Sequence, residues 1–249
     1  MRLVPFTCGW LTGPAGLFLE GEHGKLRVPV PVFLIDHPKG RVLFDTGLHP
    51  DVQHDPHGRL GFLADVFPAE FRPGEEVAGR LAARGVAIDR VDYVVLSHLH
   101  FDHAGGLGTI PNARLVVQRR EWEAGGDPDL AAQLSFARHD FDHGHDLLLV
   151  DGEHDLFGDG RVVCVPTHGH TPGHQSLRVR LDARDVVLTA DACYLRRTLE
   201  AEHLPMLVYD RDATLASLRR LRAFRDAGAR IVYGHDADEW AAVPPEITG

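Results

Sequence analysis

The stretch Ser97-His98-Leu99-His100-Phe101-Asp102-His103-Ala104-Gly105-Gly106 concentrates metal-binding side chains more than any other part of the chain. It directly follows residues 91–96, a β-branched and apolar run, so we expect it at the carboxyl end of a buried strand. In an extended loop His98 and His100 point the same way and can hold one ion, whereas Asp102 and His103 diverge toward a second. The spacing therefore predicts two metal ions, against the alternative that some of the 17 histidines are neighbours by accident.

The pattern His-x-His-x-Asp-His, followed by two glycines, resembles the signature of the metallo-β-lactamase superfamily. A second histidine cluster at 167–174 follows the apolar run at 160–166 and is similar to the Gly-His-Thr-Pro-Gly-His segment of that family. The match implies that His170 is a metal ligand and that His174 orients a ligand from behind. His168 lies where the family usually has a proline, so the alternative is that His168 rather than His170 is the metal ligand.

The resemblance also implies a complete set of metal ligands. Asp191 follows the strand-like run at 185–190 and matches the carboxylate that bridges two ions in the family, and His235 matches the last ligand. The implied ligands are His98, His100, Asp102, His103, His170, Asp191 and His235. Nitrogen and oxygen donors of this kind suit two divalent ions, zinc best, although manganese, iron or cobalt would also fit.

Asp45 precedes a threonine and a glycine at the end of a strand-like run. The segment Asp45-Thr46-Gly47 resembles the one that buttresses the metal loop in the superfamily, which implies that Asp45 supports a ligand. An Asp that merely caps a glycine turn is the alternative from local chemistry.

Tyr194 lies three residues after Asp191 and narrows the resemblance to the N-acyl homoserine lactonase branch, which also shares Gly-His-Asp at 234–236. That branch implies opening of a lactone ring by a metal-bridging hydroxide. Tyr194 would meet the charge on the carbonyl oxygen, and Asp102 would deliver a proton to the departing ring oxygen. The alternative for Tyr194 is a buried core aromatic whose hydroxyl meets a backbone carbonyl.

Residues 10–25 and 48–73 resemble the family least, and we expect them to shape the substrate pocket. The second stretch is aperiodic yet carries several aromatic residues, as lids and binding loops do. Phe62 and Phe67, together with Phe101 of the metal stretch, are expected to contact substrate. Any one of these aromatics could instead cover the protein's own core.

Strand-like runs gather in two groups along the chain. Those of the first half lie at 28–37, 41–47, 91–96 and 114–118, and those of the second half at 146–150, 160–166, 175–181, 185–190 and 230–234. Helices are predicted at 75–85 and 212–227, with a weaker one at 129–138. Two sheets face to face with helices outside give a four-layered α/β arrangement, and the superfamily resemblance implies the same αββα sandwich, as one domain over 1–249. The prolines at 29 and 31 predict an edge or irregular start to their strand.

The composition limits the classes of partner. The formal charge of −10 argues against binding to a phosphate backbone, and the three cysteines are too few for a disulfide framework, which fits a reducing compartment. No apolar run reaches the length of a signal peptide or a membrane span. We therefore expect a soluble cytoplasmic protein with a small-molecule lactone substrate, no nucleic-acid or membrane partner, and a homodimer as the candidate assembly.

Other functions share parts of this pattern. A hydrolase of the same fold could act on another lactone, an ester or a phosphotriester, and a mononuclear iron persulfide dioxygenase also carries His-x-His-x-Asp-His. Metal stoichiometry and redox activity separate the dioxygenase from the lactonase. A non-catalytic ligand sensor with structural metals is a further alternative, although structural sites are usually closed to water.

Overall fold

The structure is a computed structural model that describes residues 1–248. Its strands form two sheets, one of seven strands and one of five. The strands are β1 (Arg2–Pro14), β2 (Lys25–His37), β3 (Gly40–Phe44), β4 (Ala69–Glu70), β5 (Tyr93–Val95), β6 (Arg114–Gln118), β7 (Leu147–Val150), β8 (His154–Asp155), β9 (Val162–Pro166), β10 (Gln175–Arg180), β11 (Asp185–Leu188) and β12 (Arg230–Val232). The first sheet runs in the order β4-β1-β2-β3-β5-β6-β7 and the second in the order β12-β11-β10-β9-β8.

Helices lie between the strands and are mostly short. They are α1 (Ala15–Phe18), α2 (Pro56–Leu60), α3 (Leu63–Val66), α4 (Val77–Ala82), α5 (Phe101–Ala104), α6 (Arg119–Gly126), α7 (Pro128–Leu134), α8 (Arg138–Phe141), α9 (Arg196–Ala201), α10 (Arg211–Asp226) and α11 (Ala237–Ala241). Single 3-10 turns occupy Pro50–Gln53, Ile88–Arg90, Leu107–Thr109 and Ala190–Ala192. Over residues 1–248, no helix has both the length and the apolar character needed to cross a membrane.

Alternation along the strands divides the apolar side chains between two faces. Val95 and Val186 lie in the core between the sheets. Their neighbours Val94 and Val187 point outward, Val94 into a cluster with α4 and Val187 into a cluster with Leu218 of α10. Because successive side chains of a strand point to opposite faces, each sheet buries both of its faces. The layers therefore run helix, sheet, sheet, helix, and the predicted αββα sandwich is confirmed.

The strand-like runs predicted at 28–37 and 41–47 form a hairpin, as β2 and β3 pair antiparallel. The prediction for Pro29 and Pro31 is also confirmed. Strand β3 covers β2 only from Phe33 onward, so the proline-containing part of β2 is paired with β1 alone. The register between β1 and β2 shifts opposite these prolines, where ladder hydrogen bonds lack a donor.

Three local predictions differ from the structure. The run at 146–150, grouped with the second half of the chain, is β7 of the first sheet. The stretch 48–73 holds α2, α3 and the short strand β4 rather than one irregular loop. Asp55 caps α2 by accepting a hydrogen bond from the Gly58 N–H at 2.9 Å, and a proline begins that helix. Helices of four or five residues are too short to show a period, which explains the difference. The helix predicted at 129–138 is two helices, α7 and α8, and α6 before them has no counterpart among the predictions.

Candidate metal centre

The predicted site residues follow strand ends and meet at one end of the two sheets. The metal stretch follows β5, the second histidine cluster joins β9 to β10, and Asp191 and His235 follow β11 and β12. Asp191 lies in a 3-10 turn that Ala190 enters with a φ of 44°. Four separate loops on a rigid scaffold thus point their side chains at a common place.

Three imidazoles form the first donor group. His98 Nε2 lies 2.9 Å from His100 Nδ1, which in turn lies 3.0 Å from His170 Nε2. Asp191 Oδ2 joins them, at 3.6 Å from His98 Nε2 and 3.3 Å from His170 Nε2. These donor–donor separations are close to the ~3.3 Å expected for ligands of one tetrahedral ion with bonds of about 2.0 Å.

Asp102, His103 and His235 form the second donor group. Asp102 Oδ2 lies 3.6 Å from the Nε2 atoms of both His103 and His235. Asp191 Oδ1 lies 3.1 Å from the same two nitrogens. The two oxygens of Asp191 therefore face different donor groups, as a bridging carboxylate requires.

Two unpartnered atoms test whether these residues fit metal ions. Within residues 1–248, His103 Nε2 and Asp191 Oδ1 are buried and, although 3.1 Å apart, make no hydrogen bond of acceptable geometry with each other or with any other group. A buried polar atom without a partner costs about 1–3 kcal/mol, so such atoms need another occupant. Burial lowers the pKa of His98 and His170 well below the usual value, and neutral imidazole is the form that ligates a metal. In the second group the charges of Asp191 and Asp102 outweigh burial and raise the pKa of His103 and His235, and a cation would replace the protons held there. The donor set fits a pair of divalent cations.

The ring nitrogens that face away from the donor groups are also held. His100 Nε2 donates a hydrogen bond to the Leu134 carbonyl at 2.9 Å, and His235 Nδ1 donates one to the Pro29 carbonyl at 2.8 Å. These bonds fix each ring's tautomer and orientation, leaving His100 Nδ1 and His235 Nε2 free for a cation.

Asp45 supports the second donor group. It accepts hydrogen bonds from the backbone and hydroxyl of Ser97, at 2.7 and 2.9 Å, and from His103 Nδ1 at 2.9 Å. Its φ of 62° is unusual for a residue with a side chain, and the three hydrogen bonds stabilise this strained backbone conformation. Nearby, a Cβ on Gly106 would lie 2.3 Å from the Thr46 carbonyl oxygen, so only glycine allows this approach.

The structure separates the histidines of the second cluster. The structure brings His170 into the first donor group, whereas His168 lies outside both groups and its carbonyl accepts a bond from Ser217. His174 Nε2 accepts a hydrogen bond from the Asp191 N–H at 3.2 Å. Burial lowers the pKa of His174 to about 3, so its ring is neutral and can accept this bond.

Tyr194 lies beside both donor groups. Its hydroxyl is 3.3 Å from His170 Nδ1, not on a backbone carbonyl, and its ring packs edge-on against Phe18 at 5.6 Å. Burial, with the charges of Asp191 and Asp102, raises the pKa of Tyr194 well above its usual value. The phenol is therefore protonated at neutral pH and can donate a hydrogen bond.

A cavity of about 650 Å³ opens above these residues. Both donor groups and Tyr194 contribute to its base, and Phe67 and Phe101 lie in its wall with ring centroids 6.2 Å apart. Phe62 also lines it and is 68% exposed. Phe18, from the stretch 10–25, completes the aromatic wall.

Sequence reasoning did not identify two further groups of cavity residues, at 133–135 and 207–209. Residues 133 and 134 end α7 and residue 135 follows it, whereas 207–209 lie just before α10. Neither group carries a motif, and both reach the cavity only through the folding of distant segments. Their composition alone carried no signal.

Comparisons with known proteins agree with this geometry. A model of the metallo-beta-lactamase superfamily matches residues 26–235. The N-acyl homoserine lactonase AttM of Azorhizobium caulinodans is 38% identical over 231 residues, covering 89% of this chain and 87% of that protein. The N-acyl homoserine lactonase AiiA of Bacillus thuringiensis subsp. kurstaki is 29% identical over 221 residues, covering 87% of this chain and 85% of AiiA.

Solved structures show the same likeness. An N-acyl homoserine lactone hydrolase with the product N-hexanoyl-L-homoserine at its catalytic metal centre superposes with a TM-score of 0.87, at 26% identity over 98% of this chain and 96% of that one. The dizinc quorum-quenching lactonase AidC shares the fold, with a TM-score of 0.69 and 17% identity over 94% of this chain and 87% of its own.

Proposed function

Because this chain belongs to the metallo-beta-lactamase superfamily, we propose that it is a metal-dependent hydrolase that opens the lactone ring of N-acyl homoserine lactones. The observation that carries the proposal is Asp191, whose two oxygens face two donor groups at the base of an apolar cavity. The relatives named lactonases, one of them with a ring-opened product at its metal centre, support the substrate class.

The reaction is hydrolysis, in which water adds to the lactone carbonyl and the bond from carbonyl carbon to ring oxygen breaks. The chemistry that two bound divalent cations supply is a hydroxide nucleophile at neutral pH and a polarised carbonyl. The ligands named above would hold them. Tyr194 donates a hydrogen bond to the carbonyl oxygen as negative charge develops there. Asp102 accepts the proton that the attacking water gives up and passes it to the departing ring oxygen, which leaves as the hydroxyl of the ring-opened acid.

The cavity wall positions the rest of the substrate. Phe62, Phe67 and Phe101 present apolar surface that suits an acyl chain, while the donor groups below suit the polar lactone head. A substrate held in this way presents its carbonyl to the metal centre and its chain to the opening.

We propose zinc as the metal, at about two ions per chain. The nitrogen and oxygen donors suit it, and the relative AidC is a dizinc enzyme. Elemental analysis of protein purified without chelator tests this. A reproducible value near one ion per chain would overturn the dinuclear centre, and would favour a mononuclear iron dioxygenase if that ion were iron.

We also propose that the chain is a single domain over 1–249, that it forms a homodimer and that it is cytoplasmic. Cys8, Cys164 and Cys193 are all buried and free, which is compatible with a reducing compartment. Size-exclusion chromatography with light scattering tests the dimer.

The deciding experiment measures proton release on N-acyl homoserine lactones, linear esters and phosphotriesters. We expect the highest kcat/KM on the lactones. If two metals are bound and no lactone is hydrolysed, the fold stands and the proposed function is wrong.

A further inference from the structure

Glu121 in α6 is a fully buried carboxylate that the mechanism above does not use, with 0% of its surface exposed. Its Oε1 accepts a hydrogen bond from the Leu99 N–H at 3.2 Å. Its Oε2 accepts bonds from the Thr171 hydroxyl and the Gly173 N–H, both at 2.8 Å. One side chain thus joins two loops that are more than 70 residues apart in sequence.

These bonds end beside the ligands of the first donor group. Leu99 lies between His98 and His100, and Thr171 directly follows His170. Glu121 therefore fixes the backbone of both loops that supply imidazoles to this group. The second donor group has its own buried carboxylate, Asp45, which bonds to His103.

Close packing keeps Glu121 within hydrogen-bond distance of both loops. A Cβ built on Gly173 would lie 2.2 Å from the backbone nitrogen of Glu121, so a side chain there would push α6 away from the loop. The N–H groups of Leu99 and Gly173 would also lose this acceptor if Glu121 were absent, and an unpaired buried donor costs about 1–3 kcal/mol.

The donors select a carboxylate in particular. All three neighbours donate, so both oxygens of Glu121 must accept. A glutamine at this position would turn its NH₂ group toward at least one donor. Burial raises the pKa of Glu121 to about 7, while the three hydrogen bonds favour the charged form.

We propose that Glu121 is a positioning residue for the first metal ion, holding the loop of His98 and His100 in register with the loop of His170. The inference rests on the metal centre of the proposed function but not on the substrate. Loss of a group that orients metal ligands typically costs ~10–100-fold in metal affinity, and here the loss falls on one of the two ions.

The test measures Zn²⁺ affinity by competition with a chromophoric chelator, in variants that each retain one donor group. His235→Ala disables the second group, and His170→Ala disables the first. We expect Glu121→Gln to weaken Zn²⁺ binding about 10-fold or more in the His235→Ala background and less than about threefold in the His170→Ala background. Equal loss in both backgrounds, or no loss in either, would overturn the proposal.

A milder pair of variants keeps the test informative if Glu121→Gln does not fold. Thr171→Val removes one hydrogen bond at nearly constant volume, and Thr171→Ser restores the hydroxyl. In the His235→Ala background, Thr171→Val should weaken Zn²⁺ binding several-fold, and Thr171→Ser should restore it. Unchanged affinity in Thr171→Val contradicts the proposal. Because the readout is metal binding, a failure of lactone hydrolysis leaves this result interpretable.

Discussion

At the scale of single residues, the geometry of the site depends on the second polar atom of each metal-facing side chain. Asp191 divides its oxygens between the donor groups, while His100 and His235 use their outer nitrogens to anchor on backbone carbonyls. Tyr194 places a protonated phenol beside both groups, with its hydroxyl near His170 and its ring near His235. Tyr194 supplies no donor atom to either group, but its hydroxyl lies 3.3 Å from the outer nitrogen of His170, so metal content is the control for any test of its role.

Tyr194→Phe should lower kcat and kcat/KM together by about 10- to 100-fold on a lactone. A single donor to a developing oxyanion is worth ~10²–10³ in kcat, and the metal shares that load here. The ring is retained, so metal content by elemental analysis and the melting temperature should stay unchanged. An effect on KM alone would place the phenol in substrate binding rather than in the chemical step.

The residues of the two donor groups could be selected from the sequence because each follows a strand-like run within a short, recognisable pattern. Glu121 could not. It lies in a polar helix with no motif, and its three partners are 22, 50 and 52 residues away. Only the fold brings such a residue to the site, and the spacing of residues along the chain does not indicate its contacts.

At the scale of elements, α3 and the phenylalanines on either side of it form one wall of the cavity, and α2, which directly precedes them, is anchored to α8. Arg59 of α2 pairs with the buried carboxylate of Asp140 in α8, and it also donates to the His139 carbonyl at 3.2 Å. The sequence showed the aromatic residues of this wall but not its anchor, since an ion pair between residues 81 positions apart leaves no local pattern.

Phe62→Ala should raise KM for long-chain lactones by about 10-fold and leave short-chain substrates unchanged, since Phe62 lies at the exposed rim. Phe67→Ala is the matched comparison. Phe67 packs against Phe18 and Phe101, so its loss should lower the melting temperature and affect all chain lengths. Equal KM changes for short and long chains in Phe62→Ala would contradict a role at the acyl chain.

Arg59→Met should lower the free energy of unfolding by about 3 kcal/mol at pH 7, because it leaves a buried carboxylate unpaired. Burial already raises the pKa of Asp140, so protonation relieves the cost and the deficit should shrink as the pH falls. Urea unfolding of metal-free protein at pH 7 and pH 5 measures this. The double variant Arg59→Met with Asp140→Leu should recover part of the loss, and a deficit independent of pH would contradict the burial argument.

At the scale of the whole molecule, the metal centre joins the two sheets. The loop after β5 belongs to the first sheet, whereas His170, Asp191 and His235 follow strands of the second. The fold could be predicted because short apolar runs mark most strands of both sheets, but strand β1 was not predicted. Residues 2–14 form a strand because they pair with β2, and their mixed polar and apolar sequence does not indicate this.

Removing the metals should lower the melting temperature by about 10 °C. Ligands that bind only the folded state at about 1,000 times their Kd contribute ~4 kcal/mol, and each kcal/mol moves the melting temperature by about 2–4 °C at this size. Differential scanning calorimetry before and after chelation measures the change. Zn²⁺ should restore it and Mg²⁺ should not; an unchanged melting temperature would mean that the ions do not stabilise the fold.

The division of the chain between the sheets has a practical consequence. Strands β1 to β7 make up one sheet and β8 to β12 the other, so a cut at 151–153 would separate them into two fragments. The first fragment would carry His98, His100, Asp102 and His103, and the second would carry His170, Asp191 and His235. Neither fragment alone completes either donor group. Tight zinc uptake would therefore report reassembly, which makes this centre a natural reporter for a split-protein sensor.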